Sequence, residues 1–192
     1  MAGRPLSPRS IVQSNEVHLP DMLLQQRWSL MELLPQLSTT WNCLQWLARH
    51  GLIRNSVTCP NCHILCVITQ QTRQKDGYRW LCGGCRRFSQ GVRSGSFFEN
   101  SRLTLKHLIQ ISYFWSWQFP SWLIYEELRL SKKIIVEWMK FHREVCSQWL
   151  AANPPFLGGL IQQSDGTIEG VCVEIDETLL RRRKYHRGRW IP

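Results

Sequence analysis

Four cysteines stand in two pairs of identical spacing, Cys59-Pro-Asn-Cys62 and Cys82-Gly-Gly-Cys85, with 19 residues between the pairs. A C-x2-C turn brings two thiolates to one ion while nearby backbone N–H groups point at the sulfurs. Two such turns complete a tetrahedral Zn2+ site, and a spacer of this length suits a ribbon of hairpins. Proline and glycine inside the turns favour that reading over four unligated buried thiols. His63 and Cys66 are close enough in sequence to substitute for a ligand. Cys43, Cys146 and Cys172 sit among apolar neighbours and read as core residues.

The second chemical feature is charge. The 192 residues carry 24 Lys and Arg against 14 Asp and Glu, a formal net charge of +10. An excess of this size favours an anionic partner, most often nucleic acid, and less often a membrane surface or an acidic protein. Residues 51–150 hold 14 of the basic and 6 of the acidic groups, so a polyanion-binding surface is expected there. A further dense run, Arg181-Arg-Arg-Lys184 and then Tyr185-His-Arg-Gly-Arg189, closes the sequence. Arg183, Lys184, Arg187 and Arg189 can track a phosphate backbone while Tyr185 stacks on a base. Taken alone, the run serves equally as a solvated tail or a nuclear import signal.

The elements around these groups can be read from periodicity. Residues 1–36, with Pro5, Pro8 and Pro20 early on, read as a flexible lead. Ser38 is expected to cap a short amphipathic helix through Trp41, Leu44, Trp46 and Leu47, which Gly51 stops. Two β-like runs, Ile64 to Thr69 and Tyr78 to Leu81, flank Asp76-Gly77, a hairpin signal. Together these make a module over 37–99.

A helical unit is expected over 100–150. Ser101 would cap a helix from about Leu103 to Trp117, a short one would cover Trp122 to Leu128, and Ser131 would cap a third. That third helix presents Lys132, Lys133 and Glu137 early, a helix-turn-helix outline whose opening turn would meet DNA through Lys132 and Lys133. A plain three-helix packing unit reads the same way. Residues 151–170, rich in Pro and Gly, are expected to be a linker, and Val171 to Ile175 a strand.

No apolar stretch near the start is long enough for a secretory signal. Leu108 to Tyr125 lacks Lys, Arg, Asp and Glu over 18 residues, but six positions are polar or proline and Pro120 breaks it. Two short buried helices fit better than a membrane span. The expected setting is reducing, nuclear in a eukaryote and otherwise cytoplasmic, not secreted and without a membrane partner.

Val173-Glu-Ile-Asp-Glu-Thr178 followed by Arg183-Lys-Tyr-His-Arg-Gly-Arg189 closely resembles the opening of the catalytic domain of Merlin-type transposases and related bacterial insertion-sequence transposases. Upstream residues agree with that likeness. Trp46-Leu47 and Gly51-Leu52 lead into the cysteines, Ser94-Gly-Ser-Phe-Phe-Glu99 leads into Ser101-Arg-Leu-Thr-Leu105, and Glu144-Val-Cys146 follows. The resemblance spans roughly 37–190. It implies an RNase H-like DDE enzyme that cuts and joins DNA with two Mg2+ or Mn2+ ions. Asp176 matches the first catalytic acid of that family.

Only 16 residues follow Asp176, and the family's other two acids would lie beyond them. The expectation is therefore an α+β chain of small modules: a zinc ribbon, a helix-turn-helix-like unit and, over 171–192, the first strand of an RNase H-like domain. Its function would be the DNA-binding part of a Merlin-like transposase, catalytically incomplete on its own. The alternative is a non-catalytic zinc-ribbon DNA-binding or adaptor protein of transposase origin. DNA is the expected partner, and self-association stays open.

Overall fold

A computed structural model describes residues 8–154, 159–162 and 164–171, and the chain divides into units 1–143 and 144–192. Among the described residues the first unit holds a 3-10 turn, Ser14–Glu16, then the helices α1 (Pro20–Leu24), α2 (Leu30–Gln36) and α3 (Thr40–Arg49). Strands β1 (Val67–Gln70), β2 (Tyr78–Leu81) and β3 (Ser89–Gly91) follow as one antiparallel sheet in that order. Helices α4 (Leu105–Ser116), α5 (Ser121–Leu128) and α6 (Lys132–Ala152) come next, α6 running across the division at Arg143.

The helices start where hydroxyls can satisfy free N–H groups. In α2, Ser29 and Glu32 form a reciprocal pair: the Glu32 amide donates to Ser29 Oγ at 3.3 Å and the Ser29 amide to Glu32 Oε2 at 2.8 Å. For α3 the cap is Thr39, not Ser38, because the Asn42 amide donates to Thr39 Oγ1 at 3.1 Å. Ser38 instead accepts the Asn42 side-chain amide. Gly51 takes the left-handed conformation just beyond the helix, as a stop requires. The cap of α4 is likewise Thr104 rather than Ser101, whose hydroxyl accepts the Leu103 amide in the preceding loop. Ser131 receives the Ile134 amide at the start of α6, at 3.4 Å.

One hydrophobic cluster runs through this unit. The buried face of α3, Cys43, Leu44, Leu47 and Ala48, joins Ile68 and Trp80 of the sheet to Leu105, Leu108 and Ile111 of α4. Ile124, Leu128, Ile135 and Trp138 continue it into α5 and α6. The uncharged stretch after Leu108 is thus two core helices divided at Pro120, and no described helix is long and apolar enough to cross a membrane.

Three expectations need correction. From residue 8 onward the N-terminal lead is built into the fold: Ile11, Val12 and Leu33 are buried. Asn55 clamps it, accepting the Ile11 and Val12 amides at 3.1 and 2.9 Å and donating to the Val12 carbonyl at 3.1 Å. Proline spacing could not reveal a clamp some 43 residues away. The linker over 151–170 is not wholly a loop, since β4 (Gly159–Gln162) pairs antiparallel with β5 (Ile168–Val171). Asp165-Gly166 turns between them: the Asp165 carboxylate accepts the Thr167 amide at 2.9 Å and Gly166 sits at φ 85°. Finally, Cys146 is exposed on α6, while Cys43 is buried as expected.

The expected strand beyond Val171 and the catalytic acid Asp176 lie outside the described residues, as do Cys172 and the basic run with Arg183, Lys184, Arg187 and Arg189. The described sheets have three and two strands, and no RNase H-like core is among them.

Candidate metal centre

The two cysteine pairs sit on matching turns at one end of the three-stranded sheet. The first is enclosed by an isolated bridge, Thr58 with Leu65, just ahead of β1; the second connects β2 to β3. In the first turn the Cys59 amide donates to the Ile64 carbonyl at 3.0 Å and the His63 amide to the Cys59 carbonyl at 2.9 Å. In the second, the Cys82 amide donates to the Phe88 carbonyl at 3.0 Å. Each turn ends on a left-handed residue directly after its second cysteine, His63 at φ 57° and Arg86 at φ 56°. The two turns share this left-handed step after the second cysteine.

The four sulfurs converge. Cys59 Sγ lies 3.6 Å from Cys85 Sγ, and Cys62 Sγ 3.3 Å from Cys82 Sγ, with all four ligand atoms within 4.8 Å of one another. Zinc–sulfur bonds of about 2.3 Å place two ligands of a tetrahedron about 3.8 Å apart, so the spread fits one ion. It is far beyond the about 2.05 Å of a disulfide. Cys59, Cys62, Cys82 and Cys85 could thus hold a metal such as zinc, the arrangement a zinc ribbon requires. Bound there, zinc would cross-link the two turns.

Backbone dipoles prepare the sulfurs for that charge. Burial pushes the Cys59 thiol up to about 12, although the Asn61 and Cys62 N–H groups point at it. Burial also acts against ionising Cys82, but the Cys62 thiol and the N–H groups of Cys85 and Gly84 outweigh it and bring Cys82 down to about 6. The Arg87 N–H lowers Cys85 more than burial raises it. Gly84 makes room for this: a Cβ there would lie 2.7 Å from Ile64 Cδ1 and 3.5 Å from Cys62 Sγ. His63 and Cys66 are not among the four, although Cys66 is buried beside them.

Of the residues expected to meet DNA, Lys132 and Lys133 are exposed in the first turn of α6. That turn carries no acidic residue. Beside it opens a cleft of about 660 Å³, lined by Phe97, Arg102, Lys133, Glu137, Trp138 and Phe141 among others. Sequence reading did not find this cleft, because its walls are about 30 residues apart and share no local pattern. Comparison with protein-family models, curated proteins and solved structures found no match to this chain.

Proposed function

We propose that this chain is a DNA-binding protein of the kind found at the front of Merlin-like transposases, with a zinc ribbon beside a helix-turn-helix-like unit. The observation that carries the reading is the placement of Lys132 and Lys133. The first turn of a helix is its positive end, where lysines are unfavourable and acids are preferred. Two adjacent exposed lysines in a first turn that holds no acidic residue make sense when the helix end meets phosphates. The net charge of +10 and the resemblance around Asp176 support the same partner.

In this reading α5, the turn at Arg129–Ser131 and α6 act as the reading pair. Arg129 closes α5 in the left-handed conformation, at φ 53°, and so turns the chain sharply into α6. The zinc ribbon stiffens the sheet against which α3 packs. Cutting and joining of DNA belongs to the RNase H-like domain that the resemblance implies, with Asp176 as its first metal ligand.

The test is anisotropy titration of a labelled duplex at several salt concentrations. Binding should weaken steeply with salt, and Lys132→Ala/Lys133→Ala should lower affinity and reduce the log–log salt slope by about 2, one unit per lost phosphate contact. Unchanged affinity and slope in a folded double variant would sink the reading. Metal-dependent cleavage by this chain, abolished by Asp176→Ala, would replace it with a catalytic one.

A further inference from the structure

The metal centre has a fifth sulfur that its four-ligand set does not use. The β1–β2 ladder pairs Ile68 with Trp80 and Val67 with Leu81, so one step further the register sets Cys66 opposite Cys82. Side chains alternate between the two faces of a sheet. Ile68 and Trp80 are the buried members of this ladder, whereas Val67 and Leu81 are only half-buried. Cys66 and Cys82 therefore share the buried face, with exposures of 0% and 3%. Directly opposed residues of an antiparallel pair have Cβ atoms only about 4.5–5.5 Å apart, within reach of one side-chain rotation.

Cys59 has no such understudy. The residue opposite it, one step on from the Thr58–Leu65 bridge, is Ile64, whose carbonyl accepts the Cys59 amide at 3.0 Å and which carries no sulfur. The two turns share their left-handed step but differ in this respect.

We propose that Cys66 is a reserve ligand of the metal centre, able to take the place of Cys82 but not of Cys59. The proposal rests on the zinc reading of the four cysteines, and zinc is a suitable ion for it. Its d10 shell imposes no directional preference, so a sulfur arriving from a slightly different direction is accepted. Two thiols alternating at one corner also offer a route for exchanging the ion without passing through a three-ligand state. The metal–sulfur bond to Cys82 breaks as the one to Cys66 forms, and the proton that the Cys66 thiol loses is balanced by the one the released Cys82 thiolate takes up.

The experiment uses the full chain, Zn2+ competition against a chromophoric chelator, and Co2+ absorption as a second readout. Losing an outer-shell partner alone weakens metal binding by about 10–100-fold, and losing an irreplaceable ligand exceeds that. Cys59→Ser should therefore lose more than about 100-fold, whereas Cys82→Ser should lose less than about tenfold. The Cys82→Ser protein should keep the Co2+ spectrum of four thiolates. Adding Cys66→Ala to it should bring affinity down to the Cys59→Ser level and leave a three-thiolate spectrum, while Cys66→Ala alone should bind as the parent does.

Iodoacetamide labelling read by mass spectrometry decides the matter even if a variant folds poorly. In Cys82→Ser, zinc should shield Cys66 from alkylation. Equal losses for Cys59→Ser and Cys82→Ser, or a Cys66 alkylated regardless of zinc, would overturn the proposal while leaving the four-cysteine site standing. A parent chain that binds no zinc would overturn both.

Discussion

Arg93 and Asp76 form a buried, two-pronged ion pair that joins the β1–β2 turn to the approach of α4. Arg93 Nε donates to Asp76 Oδ2 at 2.6 Å and Nη2 to Oδ1 at 2.5 Å, while Nη1 donates to the Leu103 carbonyl at 2.8 Å. Both residues are 8% exposed. Planar guanidinium matches carboxylate in this geometry, and Nη1 also reaches the Ser101 carbonyl at 3.4 Å. The pair ties the β1–β2 turn of the cysteine-bearing sheet to the segment that leads into α4.

Removing one partner strands a buried charge. Asp76→Ala should lower unfolding free energy by about 3–5 kcal/mol, read from urea or guanidinium melts. The double change Asp76→Leu/Arg93→Met should cost less than either single change. Equal or additive losses would mean the two side chains do not act as a pair.

Left-handed residues at the two cysteine turns predict a gain. An L residue pays about 1–2 kcal/mol to sit there and glycine pays almost nothing, though glycine returns part of the gain as chain entropy. Arg86→Gly should therefore raise stability by roughly 1 kcal/mol, and His63→Gly by a similar amount. A destabilised Arg86→Gly protein would show that the arginine side chain, not the backbone, holds that turn.

Zinc removal should act locally first. The sheet is small and its cysteine end has no other cross-link, so chelation should open residues around 57–91 to hydrogen exchange before α4. Cys85→Ser should mimic the chelator. Uniform exchange across both regions would indicate that the whole unit depends on the metal equally.

Acid should loosen the attachment of α6 to α4. His142 Nδ1–H donates to the Trp138 carbonyl at 2.7 Å, and Nε2 lies 2.8 Å from Ser112 Oγ. Burial holds His142 below its usual 6.5 against the opposing effect of that carbonyl. A folded-state value below the unfolded one means the unfolded chain takes up the proton more readily. Stability from this residue is complete above about 6.5 and is lost as pH falls below it. His142→Asn should flatten that part of the pH–stability curve relative to the parent, checked by denaturant melts between pH 5 and 8 as a range about the histidine value.

What could be read in advance was local. The cysteine pairs needed only spacing, and they meet as spacing demands. Helix ends were near misses for one reason: Ser38 and Ser101 each had a threonine closer to the first turn, and a cap is decided by which hydroxyl reaches the third amide. Asp76-Gly77 was legible as a turn. That Asp76 also answers Arg93, 17 residues on, was not, because nothing in a turn signal says where its carboxylate points. The same holds for Asn55 and the first described residues, which look like punctuation until the clamp is seen. Cys66 carried a weak local hint, and only the strand register gives it an address.

The contact between Pro8 and Ile68 bears on how the molecule should be cut. The Ile68 amide donates to the Pro8 carbonyl at 2.8 Å, and β1 is the outer strand of its sheet. The segment at Pro8 is therefore a guard rail at one point of an otherwise open hydrogen-bonding edge. A fragment started at residue 37, where composition suggests a module begins, would keep every cysteine and lose the rail. Such an edge recruits strands from neighbouring copies. The fragment should form aggregates that the intact chain does not, and a practical truncation should begin ahead of Pro8.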